Sequence, residues 1–220
     1  MTEDHGQGCF YRFVPDDPTD FMGTGRLQAM ALDGIVDTDP DAYREEGSEW
    51  AVHWVDVADP QAAERPCRAQ AQDAGVARFN RCEGSVWDGT FVWFIASTTG
   101  PTSGGQIFRY DPVAARLVLF VQVMDRSRLS MRDNLTVSPW GDLILAEDNY
   151  DNVGGATHQY LRGLTREGEV YDLARNPWNR PDHPGGEITG PCFSPDGRYL
   201  FVNIQTPVNL TLAITGPWRT

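Results

Sequence analysis

Arg81 and Glu83 stand two residues apart in the stretch RFNRCEGSVWDGTFVWF, residues 78–94, directly before an apolar and aromatic run. In an extended chain, residues i and i+2 point to the same face. The pair could therefore be a local salt bridge on a solvated edge, or a cation and an acid directed together into a site. In a site, a guanidinium beside a metal ion is suited to clamping an oxyanion such as phosphate.

Two further acids, Asp133 and Glu187, stand in segments that resemble the one begun by Glu83. Each acid is followed by a short apolar run, a glycine-containing turn and a second apolar run. The acids are 50 and 54 residues apart. Pro-x-Gly and Asp-Gly between β-rich runs predict hairpins, because glycine accepts the positive φ of a tight turn. Units of about 40–50 residues with four short strands each are typical of a β-propeller.

The propeller geometry predicts where these three acids meet. The innermost strand of each blade lines the central channel, so acids in equivalent places of successive blades converge at one mouth of it. Converging carboxylates repel one another unless a cation holds them, and calcium prefers oxygen ligands. The pattern therefore favours a calcium-type site formed by Glu83, Asp133 and Glu187. The alternative is that each acid only accepts a hydrogen bond from a turn amide.

Two residues are weaker candidates for the same site. Asn134 follows Asp133 and could offer its carbonyl oxygen. Glu147 closes the second strand of its hairpin together with Asp148, and the two could equally be a solvated strand end. Other polar residues are predicted to be structural: Asp88 and Asp196 as turn acids, and His158 as a loop or surface residue.

Composition excludes several classes of protein. The net charge is −13 with 18 basic residues, all arginine, so a binder of the phosphate backbone of nucleic acids is not expected. The absence of lysine removes lysine-based covalent catalysis. No apolar run is long enough for a membrane helix, and no signal peptide is visible in this sequence. The four cysteines form no CxxC pair, and Cys82 and Cys192 are predicted to be buried free thiols.

The sequence thus predicts an all-β chain, with residues 1–220 forming about three to four blades of an incomplete β-propeller. Residues 37–75 are predicted to be an insertion of loop and one short helix, broken near Pro66. A six-bladed propeller at this period needs roughly 300 residues, and an open stack leaves unpaired strand edges. We therefore expect either a missing propeller half or self-association.

Five segments carry a resemblance to a known family: RFNRCEGSVWDG, GQIFRYDP, DNLTVSPWGDLILAED, GEITGPCFSPDGRYLFVNIQTP and LAITGPW. In this order they resemble the PhoX family of bacterial alkaline phosphatases, closely over residues 75–218 and loosely over residues 8–74. The resemblance implies a six-bladed propeller that hydrolyses phosphomonoesters with calcium and iron. It also implies export by the twin-arginine route, and hence a periplasmic or extracellular location.

The resemblance also assigns roles to individual residues. It implies that Arg81 contacts phosphate, that Glu83 binds metal, and that Asp133 and Glu187 are further metal ligands. The family's iron-binding cysteine belongs to an upstream part. None of the four cysteines here, Cys9, Cys67, Cys82 and Cys192, stands in a matching context.

Three hypotheses for function follow. The first is a phosphomonoesterase that acts on a small-molecule phosphate ester, with Arg81 on the phosphoryl oxygens and calcium at the acids. The second is a calcium-dependent propeller hydrolase of the lactonase kind. The third is a non-catalytic propeller that binds a ligand and uses calcium for stability. The Arg81–Glu83 spacing favours the first over the second.

Overall fold

A computed structural model describes residues 1–35, 42–130, 132–148, 159–177, 186–205 and 209–218. In this part of the chain the structure consists of antiparallel β-strands and one short helix, α1, at Cys67–Asp73. The strands are β1 Tyr11–Pro15, β2 Gly25–Leu32, β3 Glu49–Asp56, β4 Cys82–Trp87, β5 Val92–Ala96, β6 Gln106–Asp111, β7 Arg116–Gln122, β8 Arg132–Val137, β9 Leu143–Glu147, β10 Gln159–Leu164, β11 Val170–Asn176, β12 Ile188–Phe193, β13 Tyr199–Ile204 and β14 Leu210–Thr215. The all-β prediction is confirmed.

The strands form blade-like sheets in chain order. β4 to β7 form a four-stranded meander, β8 to β11 form a second, and β12 to β14 form three strands of a third. The first strands of the three sheets lie side by side, with β8 between β4 and β12. This arrangement places the beginnings of β4, β8 and β12 around one shared space, as expected for the inner strands of propeller blades.

The predicted hairpin turns hold the first two strands of each sheet in register. Asp88 caps the β4–β5 turn by accepting hydrogen bonds at Oδ1 from the backbone N–H groups of Thr90 and Phe91, at 2.8 and 2.7 Å. Asp196 does the same in the β12–β13 turn, where Oδ1 accepts from Arg198 N at 3.1 Å. The structural role predicted for both acids is confirmed, because their oxygens satisfy amides that the tight turns leave without a partner.

Alternate side chains of the second strands fill the spaces between sheets. In β9, Leu143 and Leu145 pack toward the β4–β7 sheet, while Ile144 and Ala146 pack toward the β12–β14 sheet. Because successive side chains of a strand point to opposite faces, a sheet that is covered on both sides is apolar on both. This explains why LILA and VWFIA are continuous apolar runs rather than alternating ones.

The segment 37–75 differs from its prediction as loop and short helix. The predicted short helix is present as α1, although it begins after Pro66 rather than being broken there, but Glu49–Asp56 forms strand β3. It pairs with β2 along five residues and with β7 along three, so β1, β2 and β3 extend the first sheet. The prediction gave too much weight to the acidic residues; the alternation of Trp50, Val52 and Trp54, which all pack in one core, is a strand pattern.

The prediction of a buried free thiol is confirmed for Cys82 and is wrong for Cys192. Cys82 is fully buried in the core of the first sheet, whereas Cys192 is exposed. Cys192 pairs with Phe201 on the face of the β12–β14 sheet opposite to the one packed on β9, and Phe201 is also exposed. No helix among the described residues is long and apolar enough to cross a membrane.

Candidate metal and phosphoryl site

Each of the three inner strands carries a β-bulge at the same end. The irregularity lies between Cys82 and Ser85 in β4, between Arg132 and Asn134 in β8, and between Thr189 and Cys192 in β12. A bulge inserts an extra residue, bends the strand and changes the direction of a side chain. The bulged residues include Glu83 in β4 and Asp133 in β8, so both acids are turned out of the regular ladder toward the space between the strands.

Glu187 reaches this space in a different way. The bulge of β12 falls at Gly190 and Pro191, and Glu187 lies just before the strand begins at Ile188. The expectation that the three acids occupy equivalent places therefore needs correction: two lie in bulges and the third precedes its strand. Gly190 takes the bulge position, with a φ of 61° that an L-residue rarely adopts.

A glycine allows β4 and β8 to approach closely enough for their acids to meet. A Cβ on Gly84 would lie 2.6 Å from the carbonyl oxygen of Asp133 and 2.9 Å from Cα of Asn134. Any side chain at residue 84 would therefore force the two strands apart. The neighbouring Glu83 is carried by this close approach to the side of Asp133, whose pKa it raises.

The acids form a compact cluster. One oxygen each from Asp133, Asp148 and Glu187 can be chosen such that all lie within 4.8 Å of one another. Asp133 is buried, while Asp148 and Glu187 are partly buried. Ser97 fixes the adjacent Glu83, since its Oγ donates a 2.6 Å hydrogen bond to Oε1. Of the three acids predicted from sequence, Asp133 and Glu187 thus lie in this cluster together with Asp148, while Glu83 lies beside it and acts on Asp133 and Glu187 through its charge.

Burial of these carboxylates, together with their crowding, changes their protonation. Burial raises the pKa of Asp133 to about 9, with further contributions from the negative charges of Glu83 and Asp148. Burial and the charges of Asp148 and Glu83 raise the pKa of Glu187 to about 7. Without a cation the cluster therefore retains protons at neutral pH, which is the behaviour of carboxylates that a metal ion would neutralise.

Arg81 lies beside the acid cluster. Its Nη2 is 3.1 Å from Oε1 of Glu83, and its Nε donates to the same oxygen at 3.2 Å. Arg81 also interacts electrostatically with Asp133 and Glu187. The backbone at Arg81 has a φ of 49°, so the pair does not arise from an extended i and i+2 geometry as expected. A left-handed residue followed by a bulge produces the contact instead.

The two weaker candidates have other partners. Oδ1 of Asn134 accepts from Gly190 N at 3.1 Å and from Thr189 Oγ1 at 3.4 Å, which ties β8 to β12. Glu147 is buried rather than a solvated strand end: Oε1 accepts from Arg162 Nε at 3.1 Å and Oε2 from Tyr160 N at 3.2 Å. Both remain predictions as metal ligands, but their oxygens already serve as acceptors within the protein.

Sequence reasoning missed three residues around the site. Asp148 is named together with Glu147, but only Glu147 is taken as a candidate ligand, although alternation along the strand places Asp148 on the other face. Ser97 and Asp4 contact Glu83 and Arg81 through tertiary packing, and no sequence spacing links them to the site. His158 lies outside the described residues.

The donor set indicates which metal the cluster fits. Its oxygens all come from carboxylates, the ligands preferred by calcium. Cys82 follows Arg81 directly, but it is fully buried in the core of the first sheet, and burial raises the pKa of its thiol. The described residues therefore fit a hard cation and offer no thiolate for iron at this cluster.

The fold and this cluster together define the class of protein. It is built of antiparallel blades, and the inner strands of these blades bring acids and one arginine to one shared space. The model of the family described as alkaline phosphatase PhoX matches residues 1–208. The chain belongs to the alkaline phosphatase PhoX family.

A solved structure that is similar to this chain supports the fold described above. The structure of Pseudomonas fluorescens PhoX in complex with vanadate, a transition state analogue, matches with a TM-score of 0.67 and 19% sequence identity. The match covers 94% of this chain and 46% of the Pseudomonas chain. The chain thus spans slightly less than half the length of that relative. The propeller prediction is confirmed.

More distant similarities also exist. A Bacteroides uniformis protein provisionally described as a 6-phosphogluconolactonase matches 85% of this chain at 16% identity, over 53% of its own chain, with a TM-score of 0.39. Virginiamycin B lyase from Staphylococcus aureus matches 98% of this chain at 11% identity, over 57% of its own, with a TM-score of 0.36. Similarity at this level has no bearing on function. A search among curated proteins returned no match.

Proposed function

We propose that this chain supplies the phosphoryl-binding arginine and the calcium-binding acids of a phosphomonoesterase. The single observation that carries the proposal is the arrangement around Arg81. A guanidinium is held beside Glu83, and three carboxylates, those of Asp133, Asp148 and Glu187, lie within 4.8 Å of one another next to it. Membership in the alkaline phosphatase PhoX family supports the reaction class.

The metal ligands in this proposal are Glu83, Asp133, Asp148 and Glu187. A calcium ion bound by them would neutralise negative charge that develops on the phosphoryl group during hydrolysis. Asn134 and Glu147 are not included, because other protein groups occupy their oxygens. Iron is not assigned to a residue of this chain, since no cysteine of the described part lies in the cluster.

The role proposed for Arg81 follows from its chemistry. A guanidinium is planar and permanently charged, and it can donate two parallel hydrogen bonds to two phosphoryl oxygens. Its charge offsets that of Glu83, so a phosphate dianion can approach a site that is otherwise acidic. Hydrogen bonds that strengthen as charge moves onto the phosphoryl oxygens would stabilise the transition state more than the bound ester.

We propose a small phosphate ester as the substrate and a location outside the cytoplasm, as the family resemblance implies. We also propose that additional polypeptide completes the propeller, either a longer parent chain or a second copy. The uncovered face of the β12–β14 sheet, which exposes Tyr199 and Phe201, is consistent with a further blade there.

Calorimetric titration of the purified chain tests the proposal. Calcium is titrated first, and inorganic phosphate is then titrated into the calcium-loaded protein. We expect Asp133→Asn to weaken calcium binding by about tenfold or more, since ligand charge sets calcium affinity. We expect Arg81→Gln to weaken phosphate binding by about tenfold or more while calcium binding persists.

Asp16→Asn serves as the control, because it removes one charge from an exposed acid in the β1–β2 turn. Hydrolysis of p-nitrophenyl phosphate is measured on the same samples. The proposal fails if the wild-type chain binds neither calcium nor phosphate, or if Asp133→Asn and Arg81→Gln bind both as the control does.

A further inference from the structure

A second acid holds Arg81 from the N-terminal end of the chain. Asp4 Oδ1 lies 3.0 Å from Nε of Arg81, and Nη2 of Arg81 donates to Asp4 Oδ2 at 3.3 Å. Asp4 and Glu83 therefore share one edge of the guanidinium, the edge formed by Nε and Nη2. Among the described residues, the hydrogen bonds and ion pairs of this guanidinium all involve Nε and Nη2, and none involves Nη1.

The backbone next to Asp4 is hydrogen-bonded to the backbone of Arg81. The carbonyl oxygen of His5 accepts from Arg81 N at 2.9 Å and from Gly8 N at 2.8 Å. On the other side of Asp4, Glu3 accepts from the Tyr11 hydroxyl at 2.6 Å and from Arg68 Nη1 at 2.8 Å. Asp4 is thus held between two anchored residues, although its own side chain is 54% exposed.

The same hydrogen bonds support the conformation of Arg81. Its φ of 49° is unfavourable for an L-residue, so surrounding contacts must maintain it. His5 supplies one of these contacts, and Ser97 supplies another by donating its N–H to the Arg81 carbonyl oxygen at 3.0 Å. The N-terminal turn therefore fixes both the backbone and the side chain of Arg81.

We propose that Asp4 is a positioning residue that orients Arg81 for phosphoryl recognition. With the Nε and Nη2 edge occupied by Asp4 and Glu83, the guanidinium presents its Nη1 and Nη2 edge to two oxygens of a phosphoryl group. This inference rests on the proposed function of Arg81. It adds a residue 77 positions away whose role is to remove the freedom of the guanidinium before the ligand arrives.

The direction in which phosphate affinity changes when Asp4 is removed distinguishes a positioning residue from a residue that acts only through its charge. If Asp4 acted only as a negative charge near the site, its removal would reduce repulsion and tighten phosphate binding. If Asp4 orients Arg81, its removal leaves a flexible side chain that must be ordered on binding. Ordering one long side chain corresponds to a loss of affinity of about two- to tenfold.

Two readouts on the calcium-loaded chain test the proposal, with Asp4→Ala as the variant, Asp4→Glu as the conservative variant and Asp16→Asn as the charge control. The first is the arginine Nε–H spectrum, in which the Arg81 signal is identified by its loss in Arg81→Lys. We expect hydrogen exchange at this signal to become faster in Asp4→Ala and to stay slow in the control. The second is calorimetric titration with inorganic phosphate.

For phosphate, we expect Asp4→Ala to bind about two- to tenfold more weakly, Asp4→Glu to recover part of the loss, and Asp16→Asn to match the wild type. Equal or tighter binding in Asp4→Ala would overturn the proposal, as would an unchanged Arg81 signal. Absence of phosphate binding in the wild-type chain would instead refute the proposed function. In that case, faster exchange in Asp4→Ala would still support Asp4 as the residue that holds Arg81, and unchanged exchange would still refute it.

Discussion

Glu147 and Asp148 are neighbours in the chain, yet their carboxylates belong to two different environments. Glu147 is ion-paired with Arg162, with Nε and Oε1 3.1 Å apart and both side chains buried. Asp148, the next residue, lies with Asp133 and Glu187 in the acid cluster. The end of β9 thus separates a structural acid from a candidate ligand, because successive side chains of a strand point in opposite directions.

This difference predicts opposite effects of two similar substitutions. Asp148→Asn is expected to act mainly on calcium binding, which it weakens by about tenfold or more because it removes a charged ligand, while it also removes negative charge that crowds Asp133 and Glu187. Glu147→Gln removes the buried ion pair with Arg162, which then keeps only the more exposed Asp172 as an ionic partner, and breaking a buried pair costs about 3 kcal/mol or more. Calcium titration and urea unfolding of both variants measure the two effects, and a reversed pattern would contradict the assignment.

The raised pKa values of the acid cluster predict that the metal-free chain loses stability as pH rises. Asp133 and Glu187 have ordinary pKa values of 3.8 and 4.5 and folded-state values of about 9 and about 7. Above pH 4 the folded state therefore binds more protons than the unfolded state, so the free energy of unfolding falls with pH until about pH 9.

Melting curves from pH 5 to pH 9 in the presence of a chelator measure this effect. We expect the melting temperature of Asp133→Asn to fall less with pH than that of the wild type. The difference in this fall is about 2–4 °C for each kcal/mol that the cluster contributes. We also expect calcium to stabilise the wild type more at pH 8 than at pH 5, because binding displaces the retained protons. Parallel profiles for the wild type and Asp133→Asn would show that the cluster does not titrate as argued.

Gly84 is predicted to control the distance between β4 and β8. Gly84→Ala places a methyl group 2.6 Å from the Asp133 carbonyl oxygen, so the strands must separate. We expect a destabilisation of about 1–3 kcal/mol together with weaker calcium binding, since Glu83 and Asp133 move apart. Gly6→Ala is the matched control, because a methyl group there meets nothing within 4 Å. An equal response of the two variants would contradict the close approach.

Arg166 is predicted to hold the first two sheets together at the end opposite the acid cluster. Its Nη1 is 2.6 Å from Oδ2 of Asp88, its Nε donates to the Gly141 carbonyl oxygen at 2.7 Å, and its guanidinium lies over the Trp93 ring. Arg166→Ala should cost about 1–3 kcal/mol, because the buried Asp88 carboxylate loses a charged hydrogen bond.

Thermal unfolding and calcium titration test this prediction together. Arg26→Ala is the control, since its ion pair with Asp56 is 3.7 Å long and exposed, and such pairs contribute little. We expect Arg166→Ala alone to lower the melting temperature, while calcium affinity is unchanged in both variants. Loss of calcium binding in Arg166→Ala would show that the two ends of the blades are coupled.

The sequence by itself determined the class of fold and indicated most of the acids that the structure places near Arg81. Hairpin turns such as Asp88-Gly89 act locally, so their residues predict strands and register without knowledge of the rest of the chain. The spacing of Glu83 and Asp133, which lie in equivalent bulges, follows from the blade repeat, which is also a property of the sequence, whereas Glu187 comes just before its strand. The preference of carboxylates for hard cations depends on residue type alone, so the proposal of calcium at these acids needs only the sequence.

Only the tertiary structure decided how these residues meet. The bulges that turn Glu83 and Asp133 inward depend on the packing of one sheet against the next. The selection of Asp148 over Glu147 depends on the position of Arg162, and the contact of Asp4 with Arg81 joins residues 77 positions apart. Side-chain direction at a bulge and contacts between distant segments are set by packing between sheets, and no local pattern in the sequence encodes them.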